Sequence, residues 1–170
     1  MLLKPTHFLS PLNGINLDNK TENFSHRFYM NYFNQWPELN RLHVNWDGKP
    51  MGYIMGKVED YAPQEEDSWH GHVTVLTVNP LFRRIGVASV LMNDFEANCK
   101  KYHNTPFIDL FVRESNEDAR QMYYSLGYYD FRRVLCYYTE PPEAALDMRK
   151  YFSPLHVPKP TYSIHVSQLP

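Results

Sequence analysis

The sequence predicts a mixed α/β fold of the α+β type, built as one domain within a chain of 170 residues. Two observations support this prediction. A hairpin signal around residue 47 separates two short apolar segments, and further on an apolar strand passes through a turn of small residues into an amphipathic helix. A chain of this length with 43% hydrophobic residues can bury a core without metal or disulfide cross-links. We place the domain at residues 1–150 and a proline-rich tail at residues 151–170.

The first half of the chain is predicted to contain two helices and then two strands. A short helix is indicated by Phe8, Leu9, Leu12 and Ile15. Aromatic residues at helical spacing predict a second helix over Phe24 to Trp36, which Pro37 ends. Two strands follow, Arg41 to Trp46 and Met51 to Val58, joined by a turn at Asp47-Gly48-Lys49-Pro50. The polar residues 60–68 predict a loop.

The second half alternates strands with helices. Its predicted strands are His72 to Val78, Phe107 to Val112 and, as the last, Phe131 to Tyr138. A helix follows the first strand, with an apolar face formed by Ala88, Leu91, Met92, Phe95 and Cys99. A further helix over about Asn116 to Leu126 is capped by Ser115 and stopped by Gly127. From Pro141 onward the chain lacks periodicity and holds many of its 13 prolines, so we expect irregular structure there.

Composition and missing motifs exclude several classes of protein. With only Cys99 and Cys136, there is no disulfide framework and no zinc-binding Cys pair, which fits a reducing compartment. Neither the P-loop nor the dinucleotide-binding glycine pattern occurs, which argues against NTPases and dehydrogenases. A net charge of −2 gives no general affinity for nucleic acid. No segment resembles a signal peptide or a membrane span, so we expect a cytoplasmic protein without membrane contact.

The turn at Arg83-Arg84-Ile85-Gly86-Val87-Ala88-Ser89 is predicted to bind an anion. It leads from an apolar strand into a helix, and the first N–H groups of a helix have no partner within the helix. These groups and the helix dipole attract a phosphate without a dedicated cationic side chain. Gly86 and Ala88 lack the bulk that would keep a pyrophosphate away from the backbone.

This turn, with the strand before it and the helix after it, resembles the acetyl-CoA motif of the GNAT superfamily of N-acetyltransferases. The resemblance implies a central, mostly antiparallel sheet flanked by helices. It also implies that the sheet is splayed between the strands Val73 to Val78 and Phe107 to Val112, where acetyl-CoA binds. The residues implied to hold the cofactor are Leu76, Thr77, Val78, Arg83, Arg84, Ile85, Gly86, Val87, Ala88 and Ser89, together with Asn116 and Tyr123.

A second segment, from Asn116 to Tyr128, resembles the other signature of this superfamily. The resemblance places Asn116 near the pantetheine arm and the Tyr123 hydroxyl near the sulfur. A thiol with a pKa near ~8.5 and a phenol near ~10 allow Tyr123 to protonate the departing thiolate while remaining neutral at pH 7. The alternative is a tyrosine that only packs in the core.

Several further segments resemble the catalytic subunits of NatB, a eukaryotic N-terminal acetyltransferase. The family-specific parts are Trp69-His-Gly-His-Val-Thr74 and Asp109-Leu-Phe-Val-Arg113. The resemblance covers about residues 6–150, and it implies transfer of an acetyl group to the α-amine of proteins that begin Met-Asp, Met-Glu, Met-Asn or Met-Gln. It implies substrate contacts from Glu22, Phe24, His72, Thr74, Phe111, Asn116, Tyr137 and Tyr138, and catalytic roles for Tyr123, His72 and Glu22.

These residues are chemically suited to an N-terminal substrate. Near pH 7.2 roughly a fifth of an α-amine is neutral, against less than about 0.1% of a lysine, so only a modest base is needed. Aromatic side chains suit the methionine sulfur. The permitted second residues share an oxygen acceptor but not a charge, so they require a hydrogen-bond donor, which His72 and Thr74 can supply.

Some of these assignments have structural alternatives. His70 and His72 lie on one face of a strand and could bind a cation, but the sequence shows no third ligand, so we predict no metal. Either histidine could instead be a satisfied core residue. Glu22 either orients the amine and accepts its proton through water, or is an exposed carboxylate near a helix end. Each aromatic residue could serve core packing alone.

The predicted reaction is direct transfer. The neutral amine attacks the thioester, a strand N–H near Leu76 stabilises the oxyanion, and Tyr123 protonates the leaving thiolate. No motif activates Cys99 or Cys136, so no covalent intermediate is expected. The alternatives are a related acetyltransferase acting on other N-termini or on lysine, and a non-catalytic scaffold that binds acetyl-CoA.

The resemblance also implies partners. It predicts a heterodimer with a large helical-repeat auxiliary subunit, which brings the enzyme to the ribosome and to nascent protein N-termini. The crowded aromatics between Phe24 and Trp36 favour such a contact, because they exceed what one small domain needs for its own packing. The alternative is that they close over the central sheet.

Overall fold

The computed structural model describes residues 2–3, 15, 24–60, 69–153 and 163–169, which fall into two structural units. The first unit comprises Met1–Val58 and Val73–Asn104, and the second comprises Glu59–His72 and Thr105–Pro170. The predicted helix at residues 8–15 lies outside the described residues except for residue 15. The predicted loop at residues 60–68 lies outside them except for residue 60. No helix in the described part of the chain is both long and apolar enough to span a bilayer.

In the described residues, the first unit contains strands in the order β1-β2-β3-β4 and two α-helices. Its elements are β1 Leu2–Leu3, α1 His26–Gln35, β2 Arg41–Val44, β3 Pro50–Asp60, β4 Trp69–Val78 and α2 Val87–Asn98. The last residues of β3 and the first of β4 belong to the second unit. Strand β2 pairs antiparallel with β1 and with β3, which confirms the predicted hairpin.

The predicted helix is confirmed as α1, although it begins at His26 rather than Phe24 and ends at Gln35 rather than Trp36. The Ser25 hydroxyl accepts a hydrogen bond from the Phe28 N–H, and the helix stops one residue before Trp36. The Asn40 amide then donates to the carbonyls of Tyr32 and Trp36 and accepts from the Gly56 N–H. A fully buried amide satisfied in this way fixes the end of α1 against β3.

The aromatic residues of α1 close over the first unit's core. Tyr29 and Phe33 are buried with Leu42, Tyr53 and Val75, while Phe24, Phe28 and Tyr32 pack against that cluster. Part of this aromatic helix therefore serves the unit's own packing, while Phe24, Phe28 and Tyr32 stay only half-buried, so the expectation that a partner covers them remains a prediction.

Helix α2 presents the predicted apolar face to the core. Leu91, Met92 and Phe95 are fully buried, as is Cys99 at the start of a π-helical turn that follows. This turn, Cys99–His103, ends at Asn104, which adopts the left-handed conformation.

The described part of the second unit has the strand order β4-β5-β7-β6-β8 and one α-helix. Its elements after β4 are β5 Phe107–Arg113, α3 Glu117–Ser125, β6 Tyr129–Thr139, β7 Pro142–Tyr151 and β8 Ile164–His165. Strand β7 is antiparallel to both of its neighbours, whereas the short strand β8 runs parallel to β6. The predicted mixed, mostly antiparallel sheet is confirmed.

Two predictions for this unit are wrong. The segment after Pro141 is not irregular, because residues 142–151 form a strand buried between β5 and β6. Burial on both faces removes the polar alternation by which a strand is recognised. The cap of α3 is Asn116 rather than Ser115, whose N–H instead donates to the Glu143 carboxylate.

Candidate active site

The turn between β4 and α2 has the geometry of an anion cradle. Arg84 and Gly86 both adopt positive φ, 63° and 86°, which folds the backbone sharply before the helix begins. The Arg83 Nε donates to the Val78 carbonyl at 3.2 Å, which ties the turn to the end of the strand. Gly86 is the N-terminal cap of α2 and has no side chain to bond the first N–H groups. These groups can therefore bind an anion.

The space above this turn is open. A Cβ atom added at Gly86 would meet no atom within 4 Å. The residues predicted to hold the cofactor all lie in the first unit, apart from Asn116 and Tyr123. They are Leu76, Thr77 and Val78 on β4, the exposed turn residues Arg83, Arg84, Ile85 and Gly86, and Val87, Ala88 and Ser89 on α2.

Gly52 is a supporting residue to which sequence reasoning assigned no role. A Cβ there would lie 2.7 Å from the Thr77 carbonyl oxygen and 3.2 Å from the Val78 Cα. Only glycine allows the β3 backbone to approach the end of β4 this closely. The sequence signal for this role is a glycine inside a predicted strand, which often marks the close approach of another backbone.

Asn116 and Tyr123 lie on α3, in the second unit. Asn116 is at the start of the helix and Tyr123 is seven residues further, so two helical turns place them on one face. Tyr123 is buried, and burial raises its pKa above the ordinary value for a phenol. Its hydroxyl is therefore protonated at neutral pH and can act as a proton donor.

His72 is hydrogen-bonded to a buried carboxylate inside the second unit. Its Nδ1 lies 2.8 Å from a carboxylate oxygen of Asp109, which is fully buried. Burial by itself raises the pKa of Asp109, but the charge and hydrogen bond of His72, with the charges of His70 and Arg149, lower it to about 2. Asp109 is thus ionised over the whole physiological range.

The structure brings His72 together with three of the predicted substrate aromatics. The Phe111 ring lies 5.9 Å from the imidazole of His72 and stacks on Tyr137 at 4.7 Å. Tyr138 packs edge-on against Tyr137, and its ring is covered by the Arg113 guanidinium at 3.9 Å. This group of half-buried rings beside an imidazole can receive an apolar side chain next to a polar one.

Thr74 and Phe24 lie in the first unit. The Thr74 hydroxyl donates to the Tyr32 hydroxyl at 3.1 Å, so the donor predicted for substrate is engaged by α1. His72 and Thr74 share one face of β4 because side chains alternate along a strand. Phe24 stacks on Phe28 at 4.2 Å. Glu22, the proposed amine contact, lies outside the described residues.

A third potential metal ligand accompanies the two histidines, contrary to the sequence argument. Ligand atoms of Glu59, His70 and His72 lie within 4.8 Å of one another. The His72 Nδ1 is held by Asp109, so a cation bound at that nitrogen would have to displace this hydrogen bond. Carboxylate oxygens of Glu59 and Asp109 lie 2.8 to 3.8 Å from the two imidazoles, so the three side chains already contact one another.

Comparisons with known proteins agree with this geometry. The acetyltransferase (GNAT) family matches residues 10–128. The chain is 48% identical over 140 residues to the N-terminal acetyltransferase B complex catalytic subunit NAA20 of Arabidopsis thaliana, covering 82% of this chain and 78% of the relative.

Two solved structures are similar over most of their length. Naa20 of Chaetomium thermophilum, in complex with a bisubstrate analogue, has a TM-score of 0.85 and 31% identity, covering 98% of this chain and 97% of that one. A NatB acetyltransferase complex bound to CoA and MES contains a chain with a TM-score of 0.75 and 42% identity, covering 84% of this chain and 92% of that one.

The cradle predicts a sharp difference between two glycines. Gly86→Glu should abolish acetyl-CoA binding, because it places bulk and negative charge where the pyrophosphate would lie. Gly48→Glu is a matched control, since Gly48 also has positive φ and open space around it but lies in the β2–β3 hairpin. Calorimetric titration with acetyl-CoA measures both. Near-normal affinity in Gly86→Glu, or equal loss in the two variants, would contradict the assignment.

Proposed function

Because the chain belongs to the acetyltransferase (GNAT) family, we propose that it is the catalytic subunit of a NatB-type N-terminal acetyltransferase. It transfers an acetyl group from acetyl-CoA to the α-amine of proteins that begin Met-Asp, Met-Glu, Met-Asn or Met-Gln. The observation that carries this proposal is the backbone cradle at Gly86, open to an anion at the start of α2.

In the proposed reaction, the pyrophosphate of acetyl-CoA occupies the cradle formed by Gly86, Val87, Ala88 and Ser89. Its arginine neighbours Arg83 and Arg84 supply positive charge close to the same turn. The pantetheine arm then extends along the edge of β4 past Leu76, Thr77 and Val78, with Asn116 near its amides. The cradle needs no metal, since helix N–H groups stabilise the anion.

The chemical step is direct transfer. The neutral α-amine attacks the thioester carbon, forming a C–N bond, and the Leu76 N–H stabilises the oxyanion. The C–S bond then breaks, and Tyr123 gives its proton to the thiolate. The amine loses its proton to a water molecule, and we propose that Glu22 accepts the proton from that water. A modest acceptor is sufficient, because an α-amine is weakly basic compared with lysine.

Substrate selection follows from the aromatic group around His72. The initiator methionine packs against Phe24, Phe111, Tyr137 and Tyr138, whose rings suit its polarisable sulfur. The side chain of the second residue reaches His72, which donates a hydrogen bond to its oxygen. Thr74 supports this contact from the same face of β4, held by Tyr32.

We also propose that the chain works in a complex in the cytoplasm. A NatB complex is among its structural relatives, which supports a heteromeric enzyme with an auxiliary subunit. The finer proposal is that this subunit is a large helical repeat that brings the enzyme to the ribosome and to nascent chains.

Substrate preference tests the proposed function directly. Peptides beginning Met-Asp, Met-Glu, Met-Asn and Met-Gln should be acetylated at the α-amine with kcat/KM about 10²-fold above that of a Met-Lys peptide, because an unpaired buried donor penalises the wrong side chain. Steady-state kinetics with tandem mass spectrometry measures rate and position. Acetylation of an internal lysine instead would favour the alternative, a lysine acetyltransferase.

Tyr123→Phe isolates the proton donor. Loss of one hydroxyl should lower kcat by ~10²-fold while KM changes little, since the proton is transferred only in the transition state. The matched control is Tyr128→Phe, which removes the hydroxyl of the neighbouring buried ring 5.8 Å away. Equal kcat values for Tyr123→Phe and the unmodified chain would remove Tyr123 from the mechanism.

Co-expression tests the proposed partner. The chain purified with an auxiliary NatB subunit should acetylate a Met-Asp peptide with higher kcat/KM than the chain purified alone, and the two should elute together in size-exclusion chromatography. A monodisperse chain with the same kcat/KM in both preparations would refute the need for a partner without affecting the proposed reaction.

A further inference from the structure

One ring nitrogen of His72 is bracketed by two carboxylates. Asp109 lies 2.8 Å from Nδ1, and Glu59 lies 3.7 Å from the same atom. An ionised carboxylate can only accept a hydrogen bond, so Nδ1 must carry the hydrogen. Nε2 is then the ring nitrogen whose protonation decides whether His72 is charged.

Asp109 is a strong electrostatic partner because it stays ionised without exposure to solvent. Its pKa is lowered to about 2 against the effect of burial, chiefly by the charge and hydrogen bond of His72. This interaction is mutual, so the carboxylate favours the doubly protonated imidazole as much as the imidazolium favours the carboxylate.

Other charged groups lie near this pair. Arg132 and Arg149 both donate to Asp147, at distances of 2.8 to 3.1 Å. The Nε2 of His70 lies 3.6 Å from Asp109 and 3.8 Å from Glu59. The contact of His72 with Asp109, at 2.8 Å, is shorter than either of these, so His72 is the imidazole that interacts most strongly with the Asp109 carboxylate.

We propose that Asp109 is a positioning residue that holds His72 as an imidazolium and directs its Nε2–H to the second residue of the substrate. The inference rests on the proposed function, in which His72 contacts that residue. Carboxylate and amide oxygens can both accept this hydrogen bond, which accounts for a mixed acidic and amide specificity. Only a carboxylate gains an ion pair in addition.

The same geometry predicts what a neutral His72 would do. With the hydrogen kept on Nδ1, an uncharged ring has a lone pair at Nε2 and becomes an acceptor. It could still bind the NH₂ of an Asn or Gln side chain, but it would repel a carboxylate. As an imidazolium, in contrast, His72 cannot take the proton of the amine, so its role is in recognition.

Asp109→Asn tests the inference, since it removes the charge and keeps the shape. In the complex of the full chain with its auxiliary subunit, the ratio of kcat/KM for Met-Asp over Met-Asn peptides should fall about tenfold or more, mainly through KM for Met-Asp. Glu38→Gln is the matched control, because Glu38 forms another carboxylate–histidine pair, with His103 at 2.6 Å, in the first unit. Its ratio should not change.

The pH dependence of this ratio separates positioning from a structural role. Both peptides carry the same α-amine, so titration of the amine cancels. In the wild type the ratio should fall as pH rises and His72 loses its proton, whereas Asp109→Asn should give a low, flat profile. Glu59→Gln should lower the ratio in the same direction, and it provides the test if Asp109→Asn does not accumulate as folded protein.

The possible outcomes distinguish the two proposals. Wild-type enzyme that acetylates both peptides with a pH-independent ratio, or variants that lose both activities equally, would overturn the role of Asp109 alone. Wild-type enzyme that prefers neither peptide over a Met-Lys peptide would overturn the proposed function, and this inference with it.

Discussion

The second unit depends on the pairing of strand β7 between β5 and β6. In this register Asp109 is opposite Arg149, and Phe111 is opposite Asp147, so acidic and basic side chains meet inside the sheet. Asp147 is fully buried and is bonded by two arginines. A buried carboxylate without these partners would cost several kcal/mol, which makes the pairing a strong constraint on the register. Strands β5 and β6 also carry Phe111, Tyr137 and Tyr138, which we propose to contact the substrate.

The proposed cofactor site is built from backbone, whereas the proposed substrate site is built from side chains. The cradle is built from backbone, with positive φ at Arg84 and Gly86 and no side-chain cap at the start of the helix. Its side chains need only be small. The proposed substrate site is built from side chains, with stacked rings at Phe111 and Tyr137 beside the hydrogen-bonded pair of His72 and Asp109. We infer that the first part suits a constant cofactor and the second sets the choice of substrate.

A structural feature could be predicted from the sequence when the residues that determine it lie close together in the chain. The β2–β3 hairpin, helix α1 and the cradle were predicted because Gly48, Pro37 and Gly86 act within a few residues of their position in the chain. Strand β7 was missed because Ala145, Leu146 and Met148 favour helices and show no alternation. Asp109 was given no role because its partner His72 is 37 residues away, a contact that only the fold reveals. Asn116 and Tyr123 were singled out by the resemblance to the second superfamily signature, and the structure adds their shared helix face and the burial of the phenol.

The most direct test of the central claim is the affinity of the chain for CoA linked covalently to the α-amine of a short peptide. Such a molecule needs the cradle and the substrate end together, and calorimetry reports its binding without relying on turnover. The account predicts that a Met-Asp conjugate binds at least about 10²-fold more tightly than a Met-Lys conjugate and more tightly than CoA alone. Equal affinity for the two conjugates and for CoA would show that the chain binds the cofactor but does not recognise this class of N-terminus.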